Sequence, residues 1–288
     1  MKPAYLKDKA LEEAIEAGIP LDGHLTIWWL GQSGFLICAP DSRLLFDPYL
    51  SDSLTRKYAD TDKPHVRMTE QVIRPERLKD IAVVTSSHNH TDHLDAETLL
   101  PLRQANPDIR LALPEANIRF AANRLGGDTS WMIGLNDGQS VRVGPWTIHG
   151  VPSAHDNLDR NELGQCLYMG FVVSIGPWTL YHSGDTLPYP GMEDLLTPFD
   201  IDIALLPING RKPERRVAGN LDGQQAVTLA HNIQASTVIP CHYDMFEFNT
   251  ESTELFESTA TSLNQPVTIL RNGQCLSTKS IQLSPKKG

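Results

Sequence analysis

Cysteine is scarce: the 288 residues hold four, Cys38, Cys166, Cys241 and Cys275, and none stands in Cys-x-x-Cys spacing. Neither a zinc ribbon nor a disulfide framework follows from such a scatter, and a reducing compartment is expected. Long apolar runs are also missing. No stretch approaches the roughly 20 residues needed to cross a bilayer. The opening Met1-Lys2-Pro3-Ala4-Tyr5 leads into charged residues rather than the apolar core of a secretory signal. A cytoplasmic, soluble protein with no membrane partner is therefore expected. Positive charge is in deficit, with 25 Lys and Arg against 35 Asp and Glu and a formal net charge of −10. Nonspecific nucleic-acid binding draws on clustered cations, so no nucleic-acid partner is expected. What the chain does have is core-forming material, 40% hydrophobic against 21% charged residues, the balance of a globular protein.

Residues 6–17 carry apolar positions at helical spacing among Lys and Glu, and Gly18 and Pro20 stop the pattern. Residues 1–24 read as an N-terminal helical arm, and residues 25–288, which lack a Pro/Gly/Ser-rich linker, as one domain. That domain opens with strands at 25–31, 35–38 and 44–46, the last ended by Asp47-Pro48. Ile81-Ala82-Val83-Val84-Thr85 is apolar nearly throughout, as expected of a strand buried on both faces. Helices over 95–106 and 115–125 flank a strand at 111–113, and a strand at 201–206, a helix at 222–233 and a strand at 237–240 follow. The tetrapeptide Gly-Pro-Trp-Thr occurs at 144–147 and again at 176–179, which suggests two similarly built halves. The alternation of β-rich and β-α stretches predicts an α/β fold with two mixed β-sheets packed face to face between helices.

Directly after the buried strand stands His88-Asn89-His90-Thr91-Asp92-His93, four ligand-type side chains in six residues. In an extended or tightly turned loop His88 and His90 project together and can grip one ion, while Asp92 and His93 turn toward another. Imidazole and carboxylate without thiolate suit zinc, manganese, iron or nickel and argue against a purely structural zinc site. His155, Asp185 and His242 each follow a predicted strand, the position where loops converge on one edge of a rigid sheet. Asp47 and Asp95 are candidates to fix imidazole tautomers by accepting their second N–H.

The string from His88 to His93 resembles the His-x-His-x-Asp-His motif of metallo-β-lactamase-fold hydrolases, and His155, Asp185 and His242 fall in the order of that family's remaining ligands. The resemblance implies a four-layer αβ/βα sandwich. It also implies two divalent metal ions, one held by His88, His90 and His155, the other by Asp92, His93 and His242, with Asp185 bridging. Within the family the chain is most similar to the ascorbate-6-phosphate lactonase group. The segments that carry this likeness are Trp28-Trp29-Leu30-Gly31, the His motif continuing into Leu94-Asp95, Tyr181-His182-Ser183-Gly184-Asp185, Ile201-Asp202-Ile203-Ala204-Leu205 and Val238-Ile239-Pro240-Cys241-His242-Tyr243-Asp244, whereas residues 47–72 carry none of it.

The reaction so implied is hydrolysis, in which a metal-bound hydroxide attacks a small anionic substrate, a sugar-acid phosphate lactone by the resemblance, with manganese or zinc as cofactor and Asp92 as the catalytic carboxylate. In an acidic protein the dense basic cluster Arg211-Lys212-Pro213-Glu214-Arg215-Arg216 is notable, and Arg211, Lys212 and Arg215 are expected to recruit the anion. Tyr243, beside His242, is a further expected substrate contact, and Tyr181 and His182 are candidate donors to an oxyanion. A phosphodiesterase acting on a small phosphodiester uses the same chemistry and is the alternative, as is a non-catalytic metal-binding protein. Homo-oligomerisation is compatible with the sequence.

Overall fold

Alternation in the first strands dictates the layering. In the computed structural model, which describes residues 1–21 and 23–281, β1 (Thr26–Gly31), β2 (Gly34–Ala39) and β3 (Ser42–Phe46) form an antiparallel meander and are buried almost throughout. Successive strand residues face opposite sides. Ile27, Trp29, Phe35, Ile37, Leu44 and Phe46 therefore enter one apolar core, while Trp28, Leu30, Leu36, Cys38 and Leu45 enter another. A sheet apolar on both faces needs cover on both. β4 (Ile81–Thr85), β5 (Arg110–Pro114) and β6 (Met132–Leu135) extend it in parallel.

The cover on one side is a second sheet. β7 (Ser140–Val143), β8 (Trp146–Pro152), β9 (Met169–Ile175) and β10 (Trp178–His182) pair antiparallel, and β11 (Ile203–Pro207) and β12 (Thr237–Cys241) then add in parallel. β13 (Cys275–Ser277) returns to pair with β1. The orders are β13-β1-β2-β3-β4-β5-β6 and β12-β11-β10-β9-β8-β7.

Helices form the outer layers. On the first sheet α1 (Asp8–Ala17) contributes Leu11 and Ile15 to the same core as Leu99 and Leu102, and α2 (Ser53–Lys57) is a short turn between β3 and β4. Leu99 and Leu102 belong to α3 (Ala96–Ala105), and α4 (Ile118–Arg124) adds Ala121 and Ala122 after an opening 3₁₀ turn at Glu115–Asn117. On the second sheet α5 (Met192–Leu196), α6 (Gly223–Asn232) and α7 (Glu254–Leu263) pack Met192, Leu196, Ala226, Val227, Ala230, Phe256 and Ala260 against the strands. A reciprocal cap starts α6, with Gln225 N donating to Asp222 Oδ1 at 2.8 Å and Asp222 N to Gln225 Oε1 at 3.0 Å. The result is the expected α/β sandwich of two mixed sheets between helices.

The repeated Gly-Pro-Trp-Thr does not mark two halves. Both copies turn consecutive hairpins of the second sheet, β7–β8 and β9–β10, and in both the glycine takes a left-handed φ, 55° and 53°. Shared turn geometry accounts for the shared residues. The domain boundary expected at residue 25 falls one residue before β1, and residues 282–288 of that span lie outside the described residues. No helix among the described residues is long and apolar enough to cross a membrane.

Candidate metal centre

β4 ends at Thr85, but the chain beyond it stays anchored. Ser86 N donates to Ala112 O at 2.9 Å, and Met169 N donates to Ser87 O at 3.0 Å, which ties the first sheet's loop to β9 of the second. His88 follows. The loop then curls, His93 N and Leu94 N both donating to His90 O at 3.1 and 2.8 Å, so that His93 swings back until its ring centroid is 4.2 Å from that of His88.

The second sheet supplies His155 beyond β8, Asp185 beyond β10 and His242 beyond β12. Gly184 lets Asp185 come close: at φ 60° its backbone passes so near the first loop that a β-carbon would lie 2.5 Å from Ser87 Cβ. His242 is held at φ 58°, a left-handed conformation that costs a non-glycine residue energy, and its N–H donates to Gln32 O at 2.9 Å.

The seven residues singled out by sequence converge. His155 Nε2 lies 3.2 Å from His90 Nδ1, and Asp185 Oδ1 is 3.2 Å from His93 Nε2. Asp185 Oδ2 stands 3.6 Å from His155 Nε2 and 3.2 Å from His242 Nε2. Asp92 Oδ2 is 3.7 Å from His93 Nε2 and 3.6 Å from His242 Nε2. Ligands bound at 2.0–2.2 Å in a tetrahedral array stand roughly 3.3 Å apart, so these are spacings of donors around a cation. Three overlapping groups could hold one: His88, His90 and His155; His88, His93 and Asp185; and Asp92, His93 and His242, with ligand atoms in each within 4.8 Å of one another.

Three of the buried imidazoles are oriented from behind, whereas His242 Nδ1 is buried without a hydrogen-bond partner among the described residues. His93 Nδ1 donates to Asp47 Oδ2 at 2.7 Å, His155 Nδ1 donates to Gly219 O at 3.1 Å, and His88 Nδ1 is 3.0 Å from Ser87 Oγ. This leaves each Nε2 facing the cluster. Asp47 is further fixed by Thr85 Oγ1 at 2.6 Å and Ser87 N at 3.0 Å. Burial works against its charge, yet the His93 hydrogen bond and nearby His182 bring its pKa down to about 2. Asp95, the other expected tautomer-fixing carboxylate, accepts instead from Ser53 Oγ and Thr98 Oγ1, at the start of α3.

The electrostatics suit a cation. Burial and the neighbouring His93, His90 and His155 push the His88 pKa well below the imidazole range. Burial also opposes charge on Asp185, but His242 and His93 hold it far below the carboxylate range, and His93 and His242 do the same for Asp92. In return, and against burial, Asp185 and Asp92 hold His93 well above the usual value and raise His242 to about 9. Two acids are thus balanced by protons on imidazoles. His88 Nε2, His93 Nε2 and Asp185 Oδ1 are buried without a hydrogen-bond partner among the described residues, the 3.2 Å approach of His93 to Asp185 lacking hydrogen-bond alignment. Leaving one such atom unsatisfied costs about 1–3 kcal/mol, and a divalent cation would satisfy all three. The donor set fits the metal.

A cavity of about 450 Å³ opens over the cluster, with His90, Asp92, His155, Asp185 and His242 on its floor. The expected substrate contacts are not in its wall. Arg215 is buried, its guanidinium taken by Asn209 O, Asn249 Oδ1, Thr250 O and Glu251. Lys212 also pairs with Glu251, Arg211 with Asp156 at 3.3 Å, and Arg216 with Asp62 at 2.7 Å. Tyr243 stacks on Trp29 at 4.7 Å between ring centroids and donates to Leu270 O at 3.0 Å. His182 is neutral packing, stacked on Phe46 at 4.9 Å with Nε2 donating to Ser33 O and Nδ1 accepting from Gly184 N. Tyr181 lies in the apolar core.

Sequence reasoning passed over three neighbours of the cluster. Gln32, in the β1–β2 turn at φ 50°, donates from Nε2 to Asp92 Oδ2 at 2.8 Å and lies 3.1 Å from His242 Nε2. Tyr168 lines the cavity with its ring 5.4 Å from those of both His88 and His155. Arg124, at the end of α4, lines it as well. Only for Gln32 was a local signal available, a long polar residue in a two-residue turn that usually takes Gly, Asn or Asp.

The model of the beta-lactamase superfamily domain matches residues 26–242. A UPF0173 metal-dependent hydrolase from Opitutus terrae is 30% identical over 258 residues, covering 88% of this chain and 99% of that one. Another, from Myxococcus xanthus, is 30% identical over 259 residues, covering 87% and 79%. Among solved structures, a possible metal-dependent hydrolase from Veillonella parvula superposes with a TM-score of 0.68 at 14% identity over 87% of this chain and 98% of that one, a likeness of fold.

Proposed function

The chain belongs to the UPF0173 metal-dependent hydrolases of the beta-lactamase superfamily, and from that premise we propose that it hydrolyses a small anionic ester or lactone, with a sugar-acid phosphate lactone as its type of substrate. On this reading His88, His90 and His155 hold one divalent ion, Asp92, His93 and His242 hold a second, and Asp185 spans the two. The observation that carries it is the convergence of the unpartnered His88 Nε2, His93 Nε2 and Asp185 Oδ1 with the ligand-type side chains of His90, Asp92, His155 and His242, of which all but His88 and His93 line a cavity large enough for a small molecule.

Manganese or zinc ions bound there would acidify a water and polarise the substrate's carbonyl oxygen. The chain's own groups do the rest. Asp47, Gly219 O and Ser87 keep the Nε2 lone pairs of His93, His155 and His88 directed inward. Asp92, half-buried and facing the cavity, accepts the proton from the attacking water, and Gln32 Nε2 fixes that carboxylate's orientation.

The test is proton release during hydrolysis of ascorbate-6-phosphate lactone by manganese-loaded protein, beside an identical metal-free sample. Rapid release that depends on metal is the expected result. No release by protein shown to carry metal would rule out this lactone as the substrate.

A further inference from the structure

Resting on the hydrolase reading above, we infer that Arg124 anchors the substrate's acidic group and that the wall formed by Tyr58, His65, Phe246 and Phe248 packs a flat ring beside it. The substrate class is therefore a ring-bearing carboxylate or phosphate.

Arg124 lines the cavity half-buried and has no carboxylate within ion-pair distance among the described residues, unlike the cations of the 211–216 cluster, which pair with Asp156, Glu251 and Asp62. Its guanidinium is already set in place. Nη1 donates to Asn89 O at 2.8 Å and to Leu94 O at 3.1 Å, and the group lies 4.6 Å over the Phe120 ring. Nε and Nη2 have no acceptor among the described residues. Guanidinium presents its donors as a planar fork suited to carboxylate or phosphate, and a fork held rigid before binding loses little entropy on capture. Its tethers are carbonyls of the loop that carries His88 to His93, so an anion on Arg124 is registered against the metal cluster.

Another part of the same cavity's lining is aromatic. His65 is stacked on Tyr58 at 4.2 Å and lies 4.5 Å from Phe248 and 5.1 Å from Phe246. Burial lowers the His65 pKa, against the opposing hydrogen bond of Nδ1 to Lys63 O. Two chain segments make this wall, residues 48–67 and the loop beyond β12. They are pinned together by Glu247 N to Val66 O at 3.1 Å and Met68 N to Met245 O at 2.8 Å. Residues 58, 65 and 248 are only partly buried. An aromatic surface left open toward a polar floor stabilises a flat partner by stacking beyond the apolar area it buries.

The test is equilibrium binding of four probes to metal-loaded protein: phenylacetate, phenylacetamide, acetate and benzylphosphonate. Phenylacetate is expected to bind at least tenfold tighter than either the uncharged amide or ringless acetate. Arg124→Gln should abolish the preference for phenylacetate over the amide with metal content unchanged, Arg124→Lys should retain part of it, and Phe248→Ala should weaken all three ring-bearing probes alike. Benzylphosphonate against phenylacetate tells a phosphate from a carboxylate. A preference that survives Arg124→Gln places the anion on the metals and overturns the inference, as does absence of phenylacetate binding. Probe binding in this pattern by a protein that cleaves no ester would sink the hydrolase reading alone.

Discussion

Asp47 Oδ2 and His93 Nδ1 meet at 2.7 Å with neither side chain exposed, directly behind the candidate metal cluster. The same Oδ2 also accepts from Ser87 N–H at 3.0 Å, and Oδ1 accepts from Thr85 Oγ1 at 2.6 Å. A neutral amide in its place keeps the hydrogen bonds but removes the charge behind the imidazole, and with it the basicity that the carboxylate lends to Nε2, the atom facing the cluster. Asp47→Asn is therefore expected to weaken metal binding about 10–100-fold, as measured by competition with a chromophoric chelator. Unchanged affinity would mean that His93 does not bind metal through Nε2.

Two of the candidate ligand groups can be separated by their unshared members. His155 belongs only to the group with His88 and His90, and His242 only to the group with Asp92 and His93. His155→Ala and His242→Ala should each reduce the metal content from two ions per chain to one, read by elemental analysis after dialysis. A single ion in the unaltered protein, or two retained by either variant, would contradict the two-ion assignment.

Loading should release protons. Without metal and despite burial, Asp185 and Asp92 raise His242 to about 9 and His93 well above 6.5, so both carry a proton at neutral pH that a cation must displace. The sign follows from raised folded-state values: these protons stabilise the metal-free fold fully below about pH 6.5, and that contribution is lost as pH rises through about 9. Metal affinity should accordingly climb over the same window. Calorimetric titration in buffers of different ionisation enthalpy counts the protons, and none released at pH 7 would rule out the protonated imidazoles.

Chemistry-bearing residues were legible where they are local or tied to strand ends. The His88–His93 string is dense enough to stand out, and His155, Asp185 and His242 each follow a strand whose apolar run announces it. Asp47 was legible for the same reason, at the end of β3. Gln32 and Arg124 were not, because what makes them notable is distance in space: Gln32 meets Asp92 60 residues away, and Arg124 reaches Asn89 35 residues away. The basic cluster is the opposite case. Its charge is plain in the sequence, but the carboxylates that neutralise it come from Asp62, Asp156 and Glu251, and sequence alone does not show which cations are already paired.

Arg211 and Arg215 should therefore respond differently to the same substitution. Arg211 is exposed and its contact with Asp156 lies in solvent, so Arg211→Ala should leave stability within about 0.5 kcal/mol and KM for an anionic substrate unchanged. Arg215 is buried and satisfies Asn209 O, Thr250 O and Glu251 at once. Removing its guanidinium strands two carbonyls and leaves Glu251 only the exposed Lys212. Arg215→Ala should then destabilise the fold by about 3 kcal/mol, the lower end for breaking a buried ion pair because Glu251 keeps one partner. Chemical denaturation gives the stability change and steady-state kinetics the KM. A raised KM in Arg211→Ala with stability intact would return the loop to the substrate. A stable Arg215→Ala would show that its contacts do not hold the loop.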